Sequence, residues 1–208
     1  MAVTEDQRSP GDIRRTYTQI AAHFSQTRSQ PWPAVERFCR ASPDVDLAVD
    51  LGCGNGRHLP LLEAVATQVI GVDLTRALLR RADSHAALLE ADARAVPIAD
   101  QSVDRLLVIA MVHHLRSTDR QQVYAECARI LSTSGRGLIS VWAVDHPRFD
   151  ATAGFDALVP WTRPDGERID RFYHIFDAQE LRTELEASPL QLESVFPEAG
   201  NLFAIVCR

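Results

Sequence analysis

Residues 47–56 read LAVDLGCGNG, an apolar run that passes through an acid into three glycines at alternate positions. The run Leu47–Leu51 has strand length and little polar alternation, as expected of a strand buried on both faces. Gly52, Gly54 and Gly56 then allow a tight turn whose backbone N–H groups can come close to a bound group. A second acid, Asp73, ends the apolar run Val69–Val72 about 20 residues further on, where a carboxylate can hold two ribose hydroxyls. A third, Asp92, follows the run Ala87–Leu89. Acids at three successive strand ends imply a ligand carrying a ribose. A dinucleotide fingerprint would need glycine at the sixth position counted from Gly52, and Arg57 stands there.

Outward from this stretch, strand-like runs recur at Val103–Ile109 and Leu138–Trp142, with helical patterns between several of the runs. Such alternation predicts a parallel sheet built from crossover units. Ile13, Tyr17, Ile20 and Phe24 share one helical stripe, as do Val35, Phe38 and Cys39. Thr75 can cap a helix carrying Leu78, Leu79 and Ala82. Thr118 with Gln121, and Asp177 with Glu180, are candidate capping boxes. Leu190–Phe196 and Leu202–Val206, joined by Pro197–Asn201, predict a terminal antiparallel hairpin. Two stretches resist assignment. Residues 22–33, AHFSQTRSQPWP, show no clean helical or strand period and are read as part of a substrate lid. Residues 145–170 are polar and punctuated by Pro147, Gly154, Pro160, Pro164 and Gly166, and are read as a functional loop.

The chain has 208 residues, 46% of them hydrophobic and 24% charged, values that fit one ordinary globular domain. No apolar run approaches the roughly 20 residues of a spanning helix, so a cytoplasmic protein without membrane contact is expected. The four cysteines form no C-x-x-C pair, which argues against a disulfide framework or a zinc site. Every one of the 22 basic residues is arginine and the net charge is −6. That balance disfavours a large polyphosphate partner bound by this chain alone.

The pattern G-x-G-x-G with Asp50 two residues upstream resembles the nucleoside motif of class I S-adenosylmethionine methyltransferases. The resemblance implies a Rossmann-like α/β fold with a mostly parallel seven-stranded sheet, helices on both faces and a C-terminal antiparallel hairpin. It also implies S-adenosylmethionine as cofactor, held by Asp50, Gly52, Gly54, Asn55, Gly56, Asp73, Leu74, Asp92, Ala93 and Ala110. Within one domain the expected parts are a helical lid over residues 1–42, a cofactor-binding core over 43–144, a substrate loop over 145–170, and a C-terminal helix and hairpin over 171–208.

HFSQTR and PWP before the glycine motif, MVHHL at the end of the fourth strand, VPW in the long loop and RFYHIF after it resemble the wobble-uridine tRNA carboxymethyl methyltransferases, from about Tyr17 to the end of the chain. That family methyl-esterifies a carboxymethyl group on the anticodon uridine, and its members work with a small zinc-binding activator protein. The resemblance therefore implies tRNA as one partner and a heterodimer through the edge strand near Ala87–Leu89 as another. A carboxylate is already an anion at neutral pH, so its methylation needs placement rather than a general base. Arg28 is the first candidate to orient it and Arg171 the second, since an arginine fork suits a carboxylate. Within the pair His113 and His114, one ring orients the acceptor while the other packs or caps. Tyr173 and His174 join the candidate catalytic set, with His23, Ser25 and Trp142 lining the acceptor. Trp32 is read as a packing anchor and Phe24 as core. Ser29-Gln30 stand where the family leads one to expect basic or aromatic residues. The alternative is a small-molecule methyltransferase of the same class acting on a carboxylate or similar acceptor, and a third reading is a non-catalytic scaffold of this shape.

Overall fold

The computed structural model describes residues 9–41, 44–149 and 151–208. The first eight residues and Ser42 of the expected lid, Pro43 of the expected core and Asp150 of the expected loop lie outside the described residues.

Helix α1 (Pro10–Thr27) starts where Ser9 caps it, the hydroxyl accepting from the Asp12 N–H at 3.2 Å, with proline in the first turn. The helix runs through His23, Phe24 and Ser25, so the first half of residues 22–33 is helical. Its polar residues obscured the period, and they are accommodated locally. The hydroxyls of Ser25 and Thr27 donate to the carbonyls of Ala21 and His23 one turn back, each at 2.9 Å. Helix α2 (Pro33–Arg40) follows, with Val35, Phe38 and Cys39 buried.

The centre is a seven-stranded sheet in the order β3-β2-β1-β4-β5-β9-β8, formed by β1 (Val45–Leu51), β2 (Ala66–Asp73), β3 (Ala87–Glu90), β4 (Val103–Ile109), β5 (Leu131–Trp142), β8 (Gln191–Glu198) and β9 (Asn201–Cys207). The first five run parallel, and β9 and β8 pair antiparallel. The strand order reverses between β1 and β4, which opens a crevice at their C-terminal ends. Alternate side chains of the central strands feed two cores. Leu51, Leu106, Val108 and Ile139 pack with α5 (Ser117–Ile130) and α6 (Ala178–Glu186) on one face. Ala48, Leu107, Ile109 and Leu138 pack with α2 and α3 (Leu59–Glu63) on the other. Helices on both faces and the terminal hairpin agree with the sequence reading. The hairpin turn is tighter than expected, with Ala199 and Gly200 both at positive φ between the strands.

Three local expectations change. Residues 145–170 are not one loop, because β6 (Phe155–Thr162) pairs antiparallel with β7 (Arg168–Ile175) in a separate two-stranded sheet. Pro160 hides this strand from sequence inspection; lacking an N–H, it is tolerated in a strand paired on one side only. Thr118 and Gln121 form no capping box, since α5 begins at Ser117 after Arg116 and no side chain caps it. Helix α4 (Arg76–Leu79) starts after Thr75 without a side-chain cap bond and ends before Ala82. Asp177 does cap α6, accepting from the Glu180 N–H at 2.9 Å.

Arg120 joins the packing of α5 to that of α6. It is 3% exposed, forms a two-pronged ion pair with Glu184, donates to the Leu115 carbonyl at 3.0 Å and lies 4.9 Å from the Phe176 ring centroid. Removing one partner of a buried pair leaves an uncompensated charge. Arg120→Ala is therefore expected to destabilise the fold by about 3 kcal/mol, read as a fall in the urea midpoint.

Candidate active site

The ends of β1, β2, β3 and β4, closed over by α1 and β7, line a cleft of about 1190 Å³ with its open mouth included. At the sheet end the glycine loop is tied to β2. The N–H groups of Gly52 and Cys53 donate to the Val72 carbonyl, and that of Gly54 donates to Asp73 Oδ2 at 2.8 Å. Asp73 Oδ1 accepts from the Thr75 N–H at 2.7 Å. One carboxylate thus fixes two loops and keeps further acceptor capacity. Burial raises its pKa despite these two bonds. Gly52 has φ +81°, and a Cβ there would lie 2.4 Å from Met111 Cγ, so no other residue fits this floor. Ala110, at the end of β4, also has positive φ and donates to Ser140 Oγ at 3.0 Å. Asp92 is gripped by Arg94 through Nε at 3.0 Å and Nη2 at 2.7 Å. That pairing holds its pKa low although burial opposes it.

Asp50 is 1% exposed and neither carboxylate oxygen has a hydrogen-bond partner. Burial pushes its pKa up to about 7, opposed by the nearby Arg57 guanidinium and reinforced by Asp73. A buried, unsatisfied acid beside a glycine loop suits a ligand with a cationic group.

The other end of the cleft is aromatic and basic. Arg171 on β7 is 7% exposed, and among the described residues no carboxylate pairs with it. Its Nη1 donates to the Tyr173 hydroxyl at 2.7 Å, and its guanidinium lies 4.9 Å from the Trp161 ring centroid. Arg28, at the end of α1, lies 5.3 Å from the centroid of the same ring. Tyr173 stacks on Trp142 at 4.5 Å and meets His113 and His114 at 4.7 and 4.3 Å. The rings have defined tautomers. His114 Nδ1 lies 2.8 Å from the Phe172 carbonyl, which only accepts, so Nδ1 carries the hydrogen and Nε2 accepts from the Tyr17 hydroxyl at 2.8 Å. His113 Nδ1 accepts from the Trp142 N–H at 3.1 Å, which leaves the hydrogen on Nε2. Burial lowers the pKa of His114 to about 3 and that of His113 well below its usual value. Both rings are neutral at pH 7.

A family model described as a methyltransferase domain matches residues 49–139. The tRNA (carboxymethyluridine(34)-5-O)-methyltransferase of Schizosaccharomyces pombe is 31% identical over 200 residues, which cover 85% of this chain and 87% of that protein. The chain belongs to the tRNA (carboxymethyluridine(34)-5-O)-methyltransferase family. The mouse protein of the same activity name, ALKBH8, is 37% identical over 137 residues, covering 64% of this chain and 20% of its own length. Among solved structures, the complex between the Haloferax volcanii Trm112 methyltransferase activator and a methyltransferase aligns with a TM-score of 0.68 at 17% identity, covering 94% of this chain and 96% of that one. The methyl donor of this methyltransferase is S-adenosylmethionine. The site fits it through the glycine loop, Asp73 and the Asp92-Ala93 edge, which line the cleft, with the orphaned Asp50 carboxylate buried beside the loop.

Of the residues expected in the methyltransferase site, the structure brings Arg28, Gly52, Gly54, Asn55, Asp73, Leu74, Asp92, Ala93, Ala110, His113, His114, Trp142, Arg171 and Tyr173 to the cleft wall. Asp50 and Gly56 lie outside the lining. His23, Ser25 and His174 are turned elsewhere. His23 Nδ1 accepts from the Trp161 indole N–H at 3.1 Å, Ser25 bonds its own helix, and His174 bonds Asp156 and Glu180. Trp32, read as a packing anchor, lines the cleft and carries the Arg57 guanidinium 4.6 Å from its ring centroid. Phe24, read as core, also lines it. Tyr17 was missed as a site residue because its place on the apolar stripe of α1 reads as packing; only its hydroxyl distinguishes it.

Burial likewise lowers His58 to about 3. Unfolded, all three rings titrate near 6.5. Below that pH the unfolded chain binds more protons than the folded one, so stability falls on acidification from about pH 6.5 toward 3. Asp50, between about 4 and 7, and Asp73, whose pKa is also raised, act in the opposite sense, because the folded state there retains protons that the unfolded chain has lost. The three histidines outnumber these two acids. The urea midpoint is expected to drop steadily between pH 6.5 and 4, and His114→Gln is expected to flatten that slope by about one proton.

Proposed function

We propose that this protein transfers a methyl group from S-adenosylmethionine to the carboxymethyl group of a tRNA wobble uridine, forming the methyl ester. The carrying observation is Arg171, a buried guanidinium at the acceptor end of the cleft with no carboxylate of its own among the described residues. Bound S-adenosylmethionine supplies an electrophilic methyl group on a sulfonium. The protein's part is to hold an anionic oxygen in line and keep water away. Arg171 forks onto the acceptor carboxylate while Tyr173 and Trp161 fix its plane. Arg28, exposed at the mouth, guides the acid inward. His113 presents its Nε2 hydrogen as a neutral donor, and its neutrality spares a cationic methyl donor from repulsion. Trp142 and Tyr173 offer ring faces for a splayed uracil.

The reading extends to a partner and a location. Strand β3 ends the sheet, and Leu88 on it is 40% exposed, an uncovered apolar side chain at a strand edge. Such an edge accepts an added strand. A small zinc-binding activator docked there would also add basic surface to a chain of net charge −6, which on its own has little affinity for phosphate. The pair would act on tRNA in the cytoplasm. Among the described residues no helix is long and apolar enough to cross a membrane.

The test is methyl transfer from labelled S-adenosylmethionine to tRNA lacking the ester, with and without the activator, followed by nucleoside mass spectrometry. The expected product is a carboxymethyluridine that gains one methyl as a base-labile ester. Arg171→Ala is expected to lower kcat/KM for tRNA at least 100-fold, about 3 kcal/mol, with cofactor affinity within twofold. Equal loss of both would remove Arg171 from the acceptor site. Cofactor binding without transfer to any tRNA would move the acceptor to a small carboxylate.

A further inference from the structure

His174 follows Tyr173 on β7, and side chains alternate along a strand, so it leaves the cleft that Arg171 and Tyr173 enter. Its ring lies between two acids. Nδ1 is 2.7 Å from Asp156 Oδ1 on β6, and Nε2 is 2.7 Å from Glu180 Oε1 in the first turn of α6. Ionised carboxylates only accept, so two such bonds require a hydrogen on each nitrogen. The ring is then an imidazolium. The three side chains are not arranged as a metal site among the described residues.

The surroundings reinforce the pairing. Glu180 stands three residues after the cap Asp177, where a capping-box acid would turn back to the helix start; its carboxylate turns to His174 instead. Glu180 Oε2 is buried with no hydrogen-bond partner, and Gly154 packs so tightly on it that an added Cβ would lie 1.9 Å away. The Gly154 N–H donates to Asp177 Oδ2 at 3.2 Å. Phe176 meets the imidazole edge-on at 4.6 Å. The charged or titratable groups facing His174 are thus Asp156 from β6, Asp177 and Glu180 from α6, and His113 from the turn after β4, whose pKa the His174 charge helps to lower. A charge pair shielded in this way is stronger than one in water.

We propose that His174 is a positioning residue, an imidazolium that clasps β6 and β7 to α6 and thereby fixes where Arg171 and Tyr173 point. Two neutral hydrogen bonds also moor this end of β7: the Phe172 carbonyl accepts from His114, and the Phe176 N–H just beyond the strand donates to the Trp142 carbonyl at 2.9 Å. The functional half of the proposal rests on the acceptor site assigned above.

Two measurements on the full chain test it. Imidazole proton–nitrogen correlation spectra at neutral pH are expected to show hydrogens on both His174 nitrogens, and a neutral tautomer would overturn the clasp. In kinetics with carboxymethyl-bearing tRNA, His174→Gln is expected to raise KM for tRNA roughly tenfold, as a small misplacement of a binding group does, with kcat and cofactor affinity near wild type. His174→Arg, charged at every pH, is expected to restore KM. A fall in kcat with unchanged KM, or a glutamine variant equal to wild type, rejects the positioning role. If wild type transfers no methyl to tRNA, the proposed function fails, and amide exchange along β7 judges the clasp by itself. Faster exchange in His174→Gln upholds it; unchanged exchange overturns it.

Discussion

A guanidinium taken out of water without a carboxylate beside it costs several kcal/mol unless other groups replace its hydration. Arg171 sits under that constraint, and much of the acceptor side of the molecule is arranged around it. The Tyr173 hydroxyl accepts from one nitrogen and the Trp161 face covers the planar side. Trp161 is held in turn by its bond to His23 on α1, which joins the N-terminal helix to the β6–β7 hairpin. Packing of Ile20 against Trp161 and Ile169 extends the same contact. An aromatic cage tolerates the cation without neutralising it, and that preserves its affinity for an anion arriving from outside.

The cofactor half obeys the opposite electrostatics. Parallel strands deliver their C-terminal ends to one side of the sheet, so Asp50, Asp73 and Asp92 converge there although they are far apart in sequence. Each meets a different environment. Asp73 is satisfied by two backbone donors, Asp92 by an arginine, and Asp50 by neither. The histidines between the two halves are kept neutral by burial, so the acidic and basic ends are separated by a polar but uncharged wall.

Much of this was legible in the sequence. Val103–Ile109 was found with its full extent because Leu106–Ile109, buried on both faces, is an unbroken apolar run and Val103 lies just beyond the polar pair Asp104-Arg105. Strand β5 was recognised only from Leu138, since Ser132–Gly137 is polar and small, yet pairing begins at Leu131. Strand β6 was masked by Pro160. Tyr17 was obscured because an amphipathic stripe does not say which of its rings also uses a polar tip. His174 was grouped with Arg171 and Tyr173 by adjacency, whereas a period of two already separates position 174 from 171 and 173. Periodicity within a strand carried more information about the site than nearness in the chain.

The side chain of Asn55, in the glycine loop, donates to the Arg28 carbonyl at 3.1 Å, and Arg28 ends the helix that covers the cleft. The glycine loop and the helix that covers the cleft are therefore joined by a side-chain-to-backbone hydrogen bond. Ordering either end restricts the other. Should two ligands in this cleft feel each other through that bond, the effect must be reciprocal, each changing the other's affinity by the same factor.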